Sequence, residues 1–279
     1  MMNEMSNKWI GKNTIRPDGA EKVTGRAEYA ADTTMPGMIW GKVLRSPHPH
    51  AKIISIETKK AESLEGVHAI VTSNDFVEFP VDTPVILGIQ DIRWMSRNVL
   101  AKEKVLFHGH PIAAVAANSE EIAEKACELI EVKYEVLPWA IEIDDAIDKN
   151  APILHEFIKF DGKPSNIAGT LEHNKGDVEK GFAEADVIIE KEFETAAVHQ
   201  GYLETHACLV SVSPDEKTVI WSSSQGQFMV RAMTSFITGI PQSNIRAIPA
   251  EIGGGFGGKT IVYLEPCCNN AVKKSLKTS

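Results

Sequence analysis

A glycine-rich stretch near the end of the chain constrains the fold most. Residues 251–260 read E-I-G-G-G-F-G-G-K-T, with five glycines in six positions. Glycine has no side chain to bury, but it permits positive φ angles and close approach of the backbone to another body. Consecutive N–H groups in such a loop form an anion-binding concavity, and Lys259 adds a positive charge beside it. A flexible linker would be diluted with serine and would not carry Phe256 at its centre, so we interpret the stretch as a binding loop.

Two nucleotide-binding patterns also match this glycine loop (residues 251–260). Residues 253–260 fit the P-loop pattern G-x-x-x-x-G-K-[ST], and residues 253–258 fit the dinucleotide pattern G-x-G-x-x-G. A P-loop lysine opens a helix, yet Pro266 follows Lys259 by seven residues. The nineteen residues after Thr260 are too few for the remaining strands and acidic residues of either fold. We expect both matches to be accidental and keep a P-loop nucleotide-binding protein only as a remote alternative.

Composition and charge narrow the class of protein. The 279 residues are enough for two domains, and 43% hydrophobic with 24% charged residues is typical of a soluble globular chain. A net charge of −9 argues against nucleic acid or an anionic membrane as a partner. No apolar run approaches the ~20 residues of a membrane span. The four cysteines form no C-x-x-C pair, which predicts a reducing cytoplasm and no metal held by cysteine.

Strand and helix patterns divide the chain into two units. The first alternates β-type apolar segments with one amphipathic helix, which predicts a compact α/β unit. An acidic and then polar segment follows and is interpreted as a linker. The predicted divisions are a lead-in at 1–19, a first unit at 20–137, a linker at 138–165, a second unit at 166–266 and an atypical tail at 267–279.

Local signals predict individual elements within these units. Asn118 is expected to cap the helix of the first unit, with apolar residues following on one face. In the second unit, residues 187–194 are predicted to form a strand. Residues 228–238 are predicted to form a helix that Gly239 ends, because glycine is favoured directly after a helix.

Five stretches together resemble one known family. They are residues 21–25 (E-K-V-T-G) with 44–48 (L-R-S-P-H), 123–137, 176–178 with 183–186, 202–206 (Y-L-E-T-H), and 224–225 with 253–259. In these stretches the chain resembles the N-terminal part of the molybdopterin-binding subunit of the xanthine dehydrogenase/aldehyde oxidase family. The spacing of 31 residues between Gln225 and Phe256 is the most specific match. The resemblance implies an α+β chain, in which an a/b hammerhead domain is followed by a partial α/β molybdopterin-binding domain.

The resemblance also implies roles for residues around the glycine loop. Gly254, Gly255 and Gly257 would lie against molybdopterin, where a side chain would prevent close approach. Phe256 would lie near molybdenum and wall the substrate pocket. Gln225 would aim its amide N–H at an oxo group on the metal, as a neutral hydrogen-bond donor. None of these residues is expected to ligate molybdenum directly.

Thr260 departs from the purine-oxidising members of the family. Those members carry glutamate at this position to hydrogen-bond the purine ring. Threonine is small and neutral, so the resemblance places Thr260 in the substrate pocket but puts xanthine specificity in doubt. Glu204, in the Y-L-E-T-H stretch, is interpreted as a structural residue of a strand.

The resemblance implies a reaction and a set of partners. Members of the family hydroxylate a purine, another N-heterocycle or an aldehyde with water as the oxygen source. The cofactor would be molybdopterin, as Mo-molybdopterin or its cytosine dinucleotide form, with [2Fe–2S] clusters and FAD on partner subunits. The general-base glutamate lies C-terminal to the glycine loop in the family, beyond the end of this sequence. We therefore expect an iron–sulfur subunit, a FAD subunit and a C-terminal molybdopterin-domain polypeptide as partners, and no turnover by this chain alone.

The tail at 267–279 departs from the family pattern. Relatives continue after Pro266 with an apolar helix that ends in two basic residues. Shifting the reading frame of C-C-N-N-A-V-K-K by one base permits such a helix, so one hypothesis is that the tail is out of frame. The alternatives are a natural split, with a second polypeptide supplying the remainder, and a non-catalytic fragment or binding module for the iron–sulfur subunit. The adjacent DNA distinguishes a frameshift from a split gene.

Overall fold

The computed structural model describes residues 8–79, 86–87, 90–156 and 158–278, so residues 1–7 of the predicted lead-in lie outside the described residues. The helices are α1 Gly19–Val23, α2 Lys59–Glu62, α3 Ile92–Val99, α4 Glu120–Leu129, α5 Ile143–Ile147, α6 Val178–Ala183, α7 Gln227–Thr238 and α8 Glu265–Thr278. The strands are β1 Trp40–Arg45, β2 Ala51–Glu57, β3 Val67–Thr72, β4 Ile86–Leu87, β5 Gln90–Asp91, β6 Lys104–Val105, β7 Pro111–Ala117, β8 Glu131–Val136, β9 Lys159–Phe160, β10 Lys163–Pro164, β11 Cys208–Val212, β12 Thr218–Ser222 and β13 Ile245–Pro249.

Strand β7 lies at the centre of the first unit. It pairs antiparallel with β1 and β3 in a sheet of order β1-β7-β3, beside a second sheet of order β6-β2-β8. Successive side chains of a strand point to opposite faces. Ala113, Val115 and Ala117 belong to the core cluster that includes α4, whereas Ala114 and Ala116 belong to the cluster that includes α8. Both faces of β7 are therefore covered, which explains its uninterrupted apolar sequence.

Helix α4 forms as the sequence predicts, but a different residue caps it. Ser119 is the N-cap, and its side chain accepts a hydrogen bond from Ile122 N–H at 3.3 Å. The Asn118 side chain instead hydrogen-bonds His68 on β3. Because that contact occupies Asn118, the prediction that it caps the helix is wrong by one residue.

The second unit is built on a sheet of order β11-β12-β13. β12 and β13 run parallel, and α7 is the crossover helix between them. Gly239 ends α7 in the left-handed conformation with φ 76°, which confirms the predicted helix end. β13 then leads directly into the glycine loop, so the position of the loop is set by the sheet.

Helix α8 contains most of the tail and packs between the two units. It contacts β3 and β7 of the first unit and β11 and α7 of the second. Cys267 and Ala271 are buried in the shared core. Asn270 Nδ2 donates to Asp75 O at 2.8 Å, which fixes the helix to the first unit. The division predicted at residue 266 therefore falls inside a continuous helix.

Residues 187–200 contain no helix or strand, although a strand was predicted at 187–194. Val187, Ile189, Phe193 and Val198 are all more than 70% exposed. The apolar pattern is that of a strand, but no neighbouring strand pairs with this segment in the described part of the chain. A strand needs a hydrogen-bonded neighbour, and the pattern alone did not reveal that none is present here.

The structure contains no helix, among the residues it describes, with the length and apolar character to cross a membrane.

Candidate functional site

The glycine loop follows β13 and adopts backbone conformations that favour glycine. Gly254 has φ 101° and Gly257 has φ 89°. Phe256 lies between them with φ 48°, a left-handed conformation that is costly for a residue with a side chain. The residue is 75% exposed, so packing within this chain does little to offset that cost. Strain of this kind is often found at functional positions.

Three further glycines are required by close packing. A Cβ atom on Gly253 would lie 2.5 Å from Glu204 Cβ, one on Gly255 2.8 Å from Gln225 Oε1, and one on Gly258 2.8 Å from the Tyr202 ring. Real Cβ atoms do not approach other atoms so closely. The loop is therefore a packed element and not a flexible linker.

The side-chain oxygen of Gln225 is hydrogen-bonded to the loop. Oε1 accepts hydrogen bonds from Gly257 N–H at 3.0 Å and Lys259 N–H at 3.2 Å. The Gln225 backbone N–H donates to Lys259 O at 2.8 Å. Within the described part of the chain, the amide nitrogen Nε2 donates to no protein group. The structure thus brings Gln225 and the loop together, with the amide donor available to a ligand.

Three consecutive backbone donors of the loop also have no protein acceptor. Among the described residues, no acceptor faces the N–H groups of Gly254, Gly255 and Phe256. Gly254 is half-buried and Gly255 is buried, and N–H groups in such positions are normally paired, so these donors indicate a ligand rich in acceptor atoms. A pterin cofactor with sulfur and oxygen acceptors has this chemistry, and the donor set therefore fits the group that the resemblance implies.

Thr260 lies at the end of the loop with its side chain exposed. Its Oγ1 donates to Gly257 O at 3.0 Å, so the hydroxyl closes the last turn of the loop. The predicted place of Thr260 in a substrate pocket stays a prediction.

The surroundings of Lys259 exclude the P-loop interpretation. A P-loop lysine is free to reach a phosphate and opens a helix. Here the Lys259 side chain is fully buried and Nζ donates to Glu204 Oε2 at 2.7 Å. The next helix, α8, begins only at Glu265. The match to the nucleotide pattern is accidental.

The neutral imidazole of His206 packs against two tyrosines, one of which, Tyr202, contacts the glycine loop. It lies between Tyr202 and Tyr263, and its Nε2 accepts a hydrogen bond from Tyr202 Oη at 2.7 Å. Burial lowers the pKa of His206 to about 4, with the positive charge of Lys259 acting in the same direction. The imidazole is thus neutral at physiological pH, and its Nε2 can accept the hydrogen bond from the tyrosine.

The start of the chain contributes contacts that the sequence patterns did not indicate. Lys22 forms an ion pair with Glu251, the residue that begins the glycine loop. Glu251 N–H donates to Glu28 O at 3.1 Å, and Tyr29 forms a β-bridge with Glu251. The E-K-V-T-G stretch matched the family as the opening of the first domain. A lysine within it carries no local signal that it reaches a loop about 230 residues away.

Comparisons with known proteins agree with this architecture. Residues 24–138 match the aldehyde oxidase and xanthine dehydrogenase a/b hammerhead domain, and residues 159–278 match the molybdopterin cofactor-binding domain. The chain is 38% identical over 252 residues to a probable xanthine dehydrogenase subunit of Bacillus subtilis, covering 90% of this chain and 32% of that protein. It is 36% identical over 271 residues to the carbon monoxide dehydrogenase large chain of Afipia carboxidovorans, covering 93% and 32%.

A solved structure shows the same fold. Quinoline 2-oxidoreductase from Pseudomonas putida 86 superposes with a TM-score of 0.76 at 27% identity, over 92% of this chain and 32% of that one. The chain spans about a third of the length of the curated relatives it matches. The two domain matches in tandem, with the glycine loop and Gln225 in contact, make the chain a member of the xanthine dehydrogenase/aldehyde oxidase family. The α+β organisation expected from the sequence is confirmed.

Proposed function

We propose that this chain forms one wall of the molybdopterin site in a molybdenum hydroxylase. The observation that carries the proposal is the arrangement of Gln225: its oxygen is held by Gly257 and Lys259 N–H, and its Nε2 has no protein partner among the described residues. Gly255, one of the loop residues whose N–H has no acceptor among the described residues, packs against the Gln225 side chain. Gly254, Gly255 and Phe256 would bind the cofactor through their backbone N–H groups, and Gly257, whose N–H is bonded to Gln225, would allow the cofactor to approach the backbone closely. Gln225 would donate to an acceptor atom on it.

The bound cofactor would supply oxidation chemistry that hydroxylates a purine, another N-heterocycle or an aldehyde with water as the oxygen source. This chain would orient the cofactor and the substrate and would polarise the cofactor through hydrogen bonds. The exposed Phe256 ring would wall the substrate pocket, and the small, neutral Thr260 would leave that wall without a charge. A substrate that needs a carboxylate partner at this point would bind poorly.

We further propose that the general base comes from another polypeptide segment. The two carboxylates that lie against the loop are both in ion pairs, Glu204 with Lys259 and Glu251 with Lys22. Both carboxylates are therefore occupied by a lysine of this chain. The exposed apolar side chains at 187–200 support a partner that covers them. We propose a C-terminal molybdopterin-domain polypeptide for that role, with an iron–sulfur subunit and a FAD subunit as redox partners in the cytoplasm.

The experiment compares Gln225→Glu with Gln225→Ala in the assembled enzyme. Glutamate keeps an oxygen for Gly257 and Lys259 N–H but loses the amide donor, whereas alanine loses both. We expect both variants to slow turnover by about 10²–10³, the usual effect of losing one polarising donor. Only Gln225→Ala should also lower the stability of the chain, by about 1–2 kcal/mol, because two backbone donors lose their acceptor.

Gln242→Glu is the matched control, since it makes the same chemical change at an exposed position. It should leave turnover and stability unchanged. Molybdenum and pterin content are measured beside activity. Full turnover by Gln225→Glu, with normal cofactor content, would show that the amide nitrogen does not act on the cofactor.

A further inference from the structure

One carboxylate joins the two ends of the glycine loop. Glu204 Oε2 accepts a hydrogen bond from Gly253 N–H at 2.7 Å and from Lys259 Nζ at 2.7 Å. Gly253 is the first glycine of the loop, and Lys259 directly follows the last. The Glu204 backbone N–H also donates to Gly253 O at 3.4 Å. The loop is therefore closed across its base by a single side chain from outside it.

Stability alone is a weak explanation for this pair. The Lys259 side chain is 0% exposed and that of Glu204 is 11% exposed. Desolvation of two charges offsets much of their attraction, and apolar side chains of similar volume often serve a core equally well. What an ion pair adds is a fixed geometry, because its donors and acceptors must meet at defined distances and angles.

Further contacts of residues 202–204 also go to the loop. Oε1 of Glu204 is buried and has no hydrogen-bond partner among the described residues, so all side-chain hydrogen bonds of Glu204 are made to the loop. Two residues earlier, Tyr202 packs where Cβ atoms of Gly254 and Gly258 would otherwise lie, at 2.9 and 2.8 Å. The loop therefore packs against residues 202–204 and is hydrogen-bonded to them.

Lys259 links this ion pair to the amide that the proposed function requires. Its backbone N–H donates to Gln225 Oε1 at 3.2 Å, while its Nζ is held by Glu204. A displacement of Lys259 would therefore move the Gln225 amide as well. Without the pair, a segment with five glycines would occupy many conformations.

We propose that Glu204 and Lys259 are positioning residues that hold the glycine loop in its cofactor-binding shape before the cofactor arrives. This inference rests on the proposed molybdopterin site. The pair holds the two ends of the segment that carries the free N–H groups of residues 254–256, and through Lys259 it also holds the Gln225 amide. If the loop has the binding shape in only a fraction of molecules, the apparent dissociation constant of its ligand equals the intrinsic one divided by that fraction.

The first experiment measures the loop without any cofactor. Hydrogen–deuterium exchange is followed in the full chain and in Glu204→Gln, Lys259→Met and the double variant. We expect exchange of the hydrogen-bonded amides of the loop, those of Gly253, Gly257, Gly258 and Lys259, to accelerate by about tenfold or more in each variant, as local opening becomes easier. Glu156→Gln, which breaks the ion pair with Lys104 far from the loop, should leave the exchange of these amides unchanged.

If a single variant fails to fold, the double variant still tests the proposal. It removes both charges, so neither is left buried without a partner. It should fold with a melting temperature close to that of the wild type, yet the amides of its glycine loop should exchange faster. Wild-type protection of the loop in a folded double variant would overturn the proposal.

The second experiment measures cofactor retention and turnover in the assembled enzyme. Pterin release is followed by the fluorescence of the oxidised pterin, and kcat and KM are measured separately. The double variant should release pterin about tenfold faster than the wild type, the consequence of a loop correctly shaped in about a tenth of molecules. Unchanged release and kcat beside a fast-exchanging loop would refute the positioning role. A wild-type enzyme without pterin would instead refute the proposed function, and the exchange result would stand independently.

Discussion

Replacement of Gly255 by alanine tests the contact between the loop and Gln225 in the chain alone. A Cβ atom at this position would lie 2.8 Å from Gln225 Oε1, 2.9 Å from Cδ and 3.1 Å from Cγ. The amide must retreat by about 0.6 Å to reach 3.4 Å, the short end of ordinary contact. Its bonds to Gly257 and Lys259 N–H, now 3.0 and 3.2 Å, would then stretch or break.

The magnitude follows from these two hydrogen bonds. At ~1 kcal/mol net for each bond, their loss lowers the free energy of unfolding by about 2 kcal/mol. Alanine also lowers the conformational entropy of the unfolded chain, which raises the free energy of unfolding by about 0.4–1 kcal/mol. Gly255 does not have a positive φ, so no backbone strain is added. We expect a net destabilisation of about 1–1.5 kcal/mol.

Urea unfolding of the full chain measures this difference, with Gly169→Ala as the matched control. Gly169 has no positive φ, and no atom lies within 4 Å of a Cβ built there. The control should be neutral or stabilising by up to about 1 kcal/mol. If Gly255→Ala is no less stable than Gly169→Ala, Gln225 is not packed against the loop as described.

Two further predictions concern strain and pH. Phe256→Gly should leave the chain equally stable or stabilise it by up to about 1 kcal/mol, because φ 48° is costly for phenylalanine and its ring is exposed; the same variant should reduce pterin content in the assembled enzyme. For His110, Nδ1 accepts from Leu106 N–H and Nε2–H donates to Arg97 O, so only the neutral ring fits, and burial lowers its pKa to about 4. The unfolded chain therefore binds more protons between pH 6.5 and 4, and the free energy of unfolding falls as the pH is lowered through this range. His110→Gln should remove about 2 kcal/mol of the stability difference between pH 7 and pH 5 in urea unfolding; an unchanged pH dependence would contradict a neutral, buried His110.

The parts of the fold with local signals could be predicted from the sequence. Helix α7 and its end at Gly239 follow from apolar spacing and from the freedom of glycine to adopt positive φ. Helix α4 was predicted for similar reasons, but two adjacent polar residues can each cap it. The contact of Asn118 with His68, fifty residues away in sequence, decided between them.

The parts that depend on distant contacts could not be predicted. The pattern at 187–194 is that of a strand, but whether a partner strand pairs with it is not a property of the segment itself. Lys259 in the loop has the position of a phosphate-binding residue, and only the nearness of Glu204 shows that its charge is already neutralised. The approach of Lys22 to the loop is likewise a consequence of tertiary structure.

The candidate site was predicted from the resemblance to the family, in which the spacing of its two segments is the most specific match. Gln225 and Phe256 were paired by their offset of 31 residues, and the structure brings their segments into contact. The sequence could not show that the Gln225 oxygen is occupied while its nitrogen has no protein acceptor among the described residues. That distinction depends on two hydrogen bonds from the loop backbone.

The most direct test of the central proposal is the structure of the assembled enzyme with its cofactor, determined by crystallography or cryo-electron microscopy. The decisive quantity is the distance from Gln225 Nε2 to the nearest acceptor atom of the molybdenum cofactor. We predict a hydrogen bond of about 3 Å, with Gly254, Gly255 and Phe256 N–H facing the same group. A cofactor bound elsewhere, with Gln225 Nε2 more than about 5 Å from any of its acceptors, would contradict the account.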